Sequence, residues 1–153
     1  MKNIVLVAIG FLLCTSLAMA DGPIRFEVVR EVDMPKDAIY QGANQWIAEK
    51  FVSAKRVIEL QDQETGTIIG NGISQIPGPL PFTTMPLRFK LRIDMKDGKL
   101  RMTFTNFELV EAGNKPIEYA NRQFLEPKAG DMANSLADNL ATYLRQRTVE
   151  SDW

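Results

Sequence analysis

The clearest pattern in the chain is a strict alternation: Leu87, Phe89, Leu91, Ile93 and Met95 are apolar, and Arg88, Lys90, Arg92, Asp94 and Lys96 stand between and after them. A period of two puts the two sets on opposite faces of one strand, one face buried and one wet. Asp97-Gly98 then reads as a tight two-residue turn that supplies positive φ values, and Leu100, Met102 and Phe104 resume the alternation on the way back. Such a loop fixes the register. Lys96 is expected opposite Lys99, Met95 opposite Leu100, Ile93 opposite Met102 and Leu91 opposite Phe104, with Asp94 facing Arg101 on the wet side. Past Asn106 the apolar positions change parity to Phe107 and Leu109, which predicts a bulge that tightens the sheet's curvature.

The remaining elements follow from the same kind of pattern. Residues 24–32 mix β-branched and charged side chains in near alternation and read as a half-buried strand. Over 36–51, Ile39, Ala43, Trp46, Ile47 and Phe51 recur at helical steps and form one apolar stripe, slightly weakened by Gly42. Strands are expected over 55–61 and 67–76, joined by a turn at 62–66, and Gly70 and Gly72 predict a bend or bulge in the second. Residues 77–86 carry Pro77, Pro79, Pro81 and Pro86, so they read as a stiff connection that cannot join a central ladder and crosses a sheet edge. A helical turn is expected near 118–124, between Pro116 and Pro127. A last helix then begins with Asp131 as its cap, and Met132, Leu136, Leu140, Tyr143 and Leu144 are its buried stripe. The order is β-α-β-β-β-β-α, an α+β fold with a single curved antiparallel sheet and helices packed on one face.

Residues 1–20 change the compartment of everything after them. Lys2, the apolar run 4–13 and Ala18-Met19-Ala20 are the parts of a cleavable export signal, with cleavage at Ala20-Asp21. The run is too short to cross a hydrocarbon core of about 30 Å, so no transmembrane anchor is expected after cleavage. Lipidation at Cys14 is set aside because Leu13 stands where a small residue is needed. The mature chain, 21–153, is then a single domain in the bacterial periplasm or secreted. Cys14 is the only cysteine of the 153-residue chain, and there is no histidine. The mature domain thus has neither thiol nor imidazole, which excludes a disulfide, a Cys nucleophile, a Ser-His-Asp triad and a His or Cys zinc site. No cofactor and no metal are expected. Without the leader, 17 Lys and Arg face 19 Asp and Glu, a balance that gives no reason to expect nucleic acid as a partner.

Three blocks carry a family likeness: Tyr40 with Trp46-Ile47-Ala48 and Phe51; Gly66-Thr67-Ile68-Ile69-Gly70-Asn71-Gly72; and Lys96-Asp97-Gly98-Lys99-Leu100-Arg101 leading to Thr105-Asn106-Phe107. In these the chain resembles the exported bacterial domain-of-unknown-function 4468 family, described as having a fold like that of the TATA-box-binding protein (TBP-like). The resemblance implies a curved antiparallel sheet with helices on one side, in agreement with the order above. It implies no activity and brings no catalytic or binding residues. DNA binding does not come with the fold name, since function belongs to sites. The TATA-binding sheet works through apolar wedges, whereas the wet face here carries charge with Thr103 and Thr105.

Arg88, Lys90, Arg92 and Lys96, with Lys99 and Arg101 across the hairpin, are the candidate interaction face, suited to lipid headgroups, anionic glycans or an acidic partner. The plainer reading is a solvated sheet face partly neutralised by Asp94. Trp46, Phe51, Phe89, Leu91, Ile93, Phe104, Leu140 and Tyr143 either fill a core or line a cavity. Asp62 begins no calcium loop, because the EF-hand spacing counted from it reaches Ile73 where a bidentate Glu is required. Gly66, Gly70 and Gly72 miss the dinucleotide and P-loop spacings. The proline-rich segment with Phe82 in it, and the terminal Trp153, are further docking candidates beside their readings as a stiff crossing and a loose tail. The leading functional expectation is a non-enzymatic envelope binding or interaction domain, with an envelope protein or polymer as partner. A carrier of a small apolar or lipid-like ligand between sheet and helices, and a carboxylate-dependent hydrolase, stay open as alternatives. The hydrolase needs two carboxyls about 5–10 Å apart, and none of Asp62, Asp94, Asp97 and Glu108 forms a marked pair.

Overall fold

Residues 22–51, 58–110 and 122–150 are described by the computed structural model, with side chains to 147. The export signal, its cleavage site, the first part (118–121) of the turn expected near 118–124, and Trp153 lie outside the described residues, while 122–124 belong to the last helix. The elements are β1 (Phe26–Glu31), α1 (Lys36–Lys50), β2 (Ile58–Asp62), β3 (Thr67–Pro77), β4 (Thr84–Lys96), β5 (Lys99–Leu109) and α2 (Arg122–Glu150), the order that the patterning predicts. The five strands form one curved antiparallel sheet in the order β1-β5-β4-β3-β2. β2 to β5 meander, which brings β5 back beside β1, where Phe26 faces Phe104 and Val28 faces Met102.

The β4–β5 hairpin has the expected register throughout, from Lys96 opposite Lys99 to Leu91 opposite Phe104. The bulge is also where the parity change puts it: the register shifts between Arg88 and Lys90 on β4, and Asn106 takes a left-handed φ of 53°. That one step returns Phe107 to the inner face. There its ring meets Phe26 edge-on at 5.8 Å and lies 6.5 Å from Phe89. In the turn only Gly98 has positive φ, at 79°, and Asp97 does not. The reason is tertiary. Pro35 at the N-cap of α1 has no side chain to offer, and Asp97 Oδ1 accepts the Lys36 N–H at 2.7 Å in its place. Gly98 N–H donates to the Met34 carbonyl and Val32 N–H to the Gly98 carbonyl, both at 2.9 Å, so the turn is tied to the β1–α1 connection.

Three expectations are corrected. Gly70 and Gly72 do not bend β3, which keeps register with β4 through both. The irregularity falls in β2, between Ile58 and Leu60. Gly72 instead makes room: a Cβ there would lie 2.5 Å from the Phe89 ring, which covers the backbone opposite it. The segment 77–86 is not an edge crossing either. β3 and β4 pair as far as Pro77 opposite Thr84, and the connection is a hairpin loop over 78–83. Pro86 sits in this ladder. Its carbonyl accepts the Val110 N–H at 3.1 Å, and it has no N–H to return, so pairing with β5 ends there. The last helix starts before Asp131. It runs unbroken from Arg122 with Pro127 in its second turn, where one backbone donor is lost. Arg122 bonds Glu126 at 2.8 Å, and Leu125 and Ala129 are buried, which fixes those first turns despite the proline.

Both helices cover the face that carries Leu87, Phe89, Leu91, Ile93 and Met95. The α2 stripe includes the expected Met132, Leu136, Leu140 and Leu144. Beside it runs a ridge of Ala129, Ala133, Ala137 and Ala141, none more than 1% exposed, which lets the helix lie close to its neighbours. Gly42 of α1 likewise leaves space that the Leu144 side chain fills. The buried Trp46 Nε1–H donates to Asn139 Oδ1 at 2.8 Å, and Arg30, at the inner end of β1, bonds Asp138 at 2.6 Å, so α1 and β1 are both pinned to α2.

Candidate functional site

Parity alone decides which face the basic residues of β4 and β5 occupy, because β4 is central and its inner side chains are buried. Arg88, Lys90, Arg92 and Lys96 project from the outer face with Lys99 and Arg101. They do not act as one cationic patch. Arg88 bonds Glu108 at 2.6 Å across the bulge, and Lys90 bonds Glu59 of β2 at 2.9 Å. Arg92 and Arg101 share Asp94, at 2.8 and 3.1 Å, and Arg101 also reaches Glu27 of β1 at 3.6 Å. Thr67 Oγ1 donates to Asp94 as well, at 3.2 Å. Partial burial pushes the Asp94 carboxyl up, but the hydrogen bonds from Arg92 and Arg101 outweigh it and hold the group below its ordinary value. Lys90 and then Asn71 hold Glu59 low in the same way. Among the described residues only Lys96 and Lys99 of the six have no carboxylate partner. These two, with Arg101, Glu27 and Val29, border a shallow depression of about 230 Å³ at the turn end of the face.

The far end of the β3–β4 hairpin is built differently. Ile76 is its last fully buried residue, and 77–84 are exposed except for a half-buried Gly78. Leu80 is 67% exposed, and Phe82 is wholly so at 108%, a value reached only when nothing packs on the ring. Phe82 also holds a left-handed φ of 62°, costly for an aromatic residue. The loop is nonetheless fixed. Gly78 N–H donates to the Thr83 carbonyl at 2.8 Å, while the Thr83 N–H and hydroxyl both donate to the Leu80 carbonyl, at 3.2 and 2.6 Å. Pro77, Pro79 and Pro81 lock φ on alternate residues between them. No charged side chain occurs between Glu64 and Arg88, in a chain of which 24% is charged. That gap was the sequence signal for this surface. Behind the tip a groove of about 360 Å³ separates Ser74 to Pro77 from α2, with Lys50, Lys128 and Asp131 on its rim.

Among the described residues, the apolar side chains between α1 and the sheet leave about 10 Å³, among Ile47, Phe51, Ile58, Ile68, Leu91 and Ile93. That holds at most one water. Trp46, Phe51, Phe89, Leu91, Ile93, Phe104 and Leu140 are fully buried. Tyr143 is half-buried and donates its hydroxyl to Glu49 at 2.8 Å.

A curved five-stranded antiparallel sheet with helices on one face defines an α+β domain of TBP-like architecture. The chain belongs to the DUF4468 family, a domain of unknown function with TBP-like fold, whose model matches residues 26–109. Among solved structures it is similar to a DUF4468 family protein from Bacteroides ovatus, with TM-score 0.62 and 17% identity over 81% of this chain and 87% of the other. It is similar also to a TBP-like protein from Parabacteroides distasonis, with TM-score 0.63 and 12% identity over 83% and 96% of the two chains. At these identities the likeness is one of fold. No curated protein matches the sequence.

Proposed function

We propose that this chain is a non-enzymatic interaction domain of the bacterial envelope, exported under residues 1–20 and engaging its partner through the uncharged end of the β3–β4 hairpin. One observation carries the reading: Leu80 and Phe82 stand unpacked on a loop whose backbone is locked by prolines and hydrogen bonds. A bare aromatic side chain on a pre-ordered frame binds without first losing conformational freedom. Its left-handed φ costs stability, as functional positions commonly do. The outer sheet face supports the second reading, confined to Lys96 and Lys99 beside their depression, because the other four cations, Arg101 included, are already paired with carboxylates within the domain.

Among the described residues the carrier alternative finds, between α1 and the sheet, only the void of about 10 Å³. The hydrolase alternative has Glu27 and Asp94 on either side of Arg101. Asp94 is held below its ordinary pKa, the reverse of the raised carboxyl that a general acid requires.

The test is photocrosslinking in intact cells, with a photoreactive phenylalanine analogue in place of Phe82 or of Lys99. Adducts from position 82 and none from position 99 are expected. The opposite result would transfer the function to the sheet face.

A further inference from the structure

We propose that the partner of the hairpin end is a lipid surface, with Leu80 and Phe82 entering the boundary between headgroups and acyl chains; this rests on the reading of the hairpin end as the interaction element. Three features of the end fit that medium. The first is charge. Nothing between Glu64 and Arg88 would have to be neutralised on leaving water, whereas protein-binding hot spots draw on Arg, Trp and Tyr within a polar rim, and none of these three occurs in that stretch.

The second is the backbone. Each unpaired backbone N–H or C=O resists entry into an apolar phase, so a segment with few of them enters at lower cost and the rest must stay within reach of water and headgroups. Within 78–83, Pro79 and Pro81 have no N–H, and the Gly78 and Thr83 N–H groups are already bonded, so among the described residues only Leu80 and Phe82 keep a free backbone donor. Those two donors, and the loop carbonyls left unbonded among the described residues, require immersion to stop at the boundary, where headgroups and water still reach them. The third is what stands behind the tip. Lys50 and Lys128 line the groove with Pro77, behind the residues that would be immersed, and Lys128 Nζ also lies 4.8 Å from the Phe124 ring. Two cations thus stand on the side from which headgroups would approach. Asp131 on the same rim offsets one of them. The attraction to anionic lipid is therefore modest, and apolar immersion is the larger part.

The experiment is vesicle flotation of the protein purified after export, its mass confirming that the leader is gone. Vesicles of phosphatidylethanolamine with phosphatidylglycerol are compared with vesicles of phosphatidylcholine alone. Cofloating protein is expected with both, more with the anionic mixture. The pair Leu80→Ser and Phe82→Ser should reduce the bound fraction at least about tenfold, the effect of losing the burial of two large apolar side chains. Thermal unfolding should be unchanged, since neither side chain is packed. Because the only native cysteine lies at position 14, within the leader, Phe82→Cys and Lys99→Cys can each carry a single polarity-sensitive dye. Emission should shift to the blue on vesicle addition at 82 and not at 99.

Flotation that survives the double substitution, or a shift at 99 alone, overturns the proposal. Failure of the unmodified protein to float with either vesicle overturns it too. In that case, adducts from position 82 to an envelope protein would leave the hairpin reading standing with a protein partner, and their absence would remove both.

Discussion

Between Thr67 and Gly72 the β3–β4 hairpin is buried on its inner face and carries paired charges on its outer one, whereas beyond Ile76 it is covered on neither face. In the covered half, the Phe89 ring and Phe51 close over Gly72 on the inside, and Asp94, Arg92, Lys90 and Glu59 neutralise one another on the outside. In the bare half, Phe82 and Leu80 face solvent, and hydrogen bonds among Gly78, Leu80 and Thr83 supply the order together with the three prolines. The same two strands thus pass from a region where the core face is packed and the outer charges are paired to one where the backbone is partly bonded and the side chains are bare. Stability is concentrated in the first region, and the proposed capacity to bind in the second.

Substitutions that attack the covered half should therefore cost folding free energy and leave binding intact. Gly72→Val has the largest expected effect, about 3 kcal/mol, because its Cβ would lie 2.5 Å from a Phe89 ring enclosed by the core. Chemical denaturation measures it. Phe89→Leu in the same chain should recover part of the loss by vacating that space, and simple additivity of the two costs would show that the ring is not what excludes a side chain at 72.

On the outside of that half, Asp94→Ala strands Arg92 and Thr67 and leaves Arg101 with Glu27 alone, at 3.6 Å. A loss of about 1–2 kcal/mol is expected, charged hydrogen bonds discounted for the partly wet setting. The linked pH dependence has a definite sign. A carboxyl held below its ordinary pKa contributes stability that is present above its unfolded-state pKa and lost as pH falls through the folded-state value. With the unfolded value near 4, urea midpoints should decline below about pH 4 in the native protein. The decline should be shallower in Asp94→Ala. Asp138, held low chiefly by its hydrogen bond from Arg30, and Glu59 add smaller contributions of the same sign. Parallel declines in both proteins would mean that Asp94 is not the hub of the outer face.

How far each half could be read from sequence follows from how local its causes are. The β4–β5 register, the bulge at Asn106 and the outward side of Arg88 to Arg101 rest on period-two alternation and one Asp-Gly turn, all within a single hairpin. The neutralisation of that face was not legible. Glu27 and Glu59 come from β1 and β2, and only the strand order brings them to Arg101 and Lys90. Asp97 misled for a related reason, its side chain being taken by α1. The start of α2 was hidden by Pro127 and Gly130, which mimic a boundary. Burial of Leu125 and Ala129 overrides the proline, and Gly130 lies against the Phe26 ring. At the hairpin end, the prolines were visible but pointed to a crossing, and the exposure of Leu80 passed unnoticed. The absence of charge between Glu64 and Arg88 was the legible clue, since an uncharged strand continues there into an uncharged loop.

The smallest expected effect on stability is also the most discriminating, because its sign separates the two halves. Phe82 holds a φ of 62° with its ring unpacked. Phe82→Gly removes no contact and relieves the left-handed strain, but it gives the unfolded chain more freedom. The balance should favour the folded state by about 0.5–1 kcal/mol, with Phe82→Ser within about 0.5 kcal/mol of the native protein. A substitution in the covered half cannot behave this way. If Phe82→Gly instead unfolds at lower denaturant than the native protein, the ring is packed in solution and the hairpin end is part of the core's periphery. If it unfolds at higher denaturant while losing vesicle association, the phenylalanine is held at position 82 against the interest of folding, and binding is what it serves.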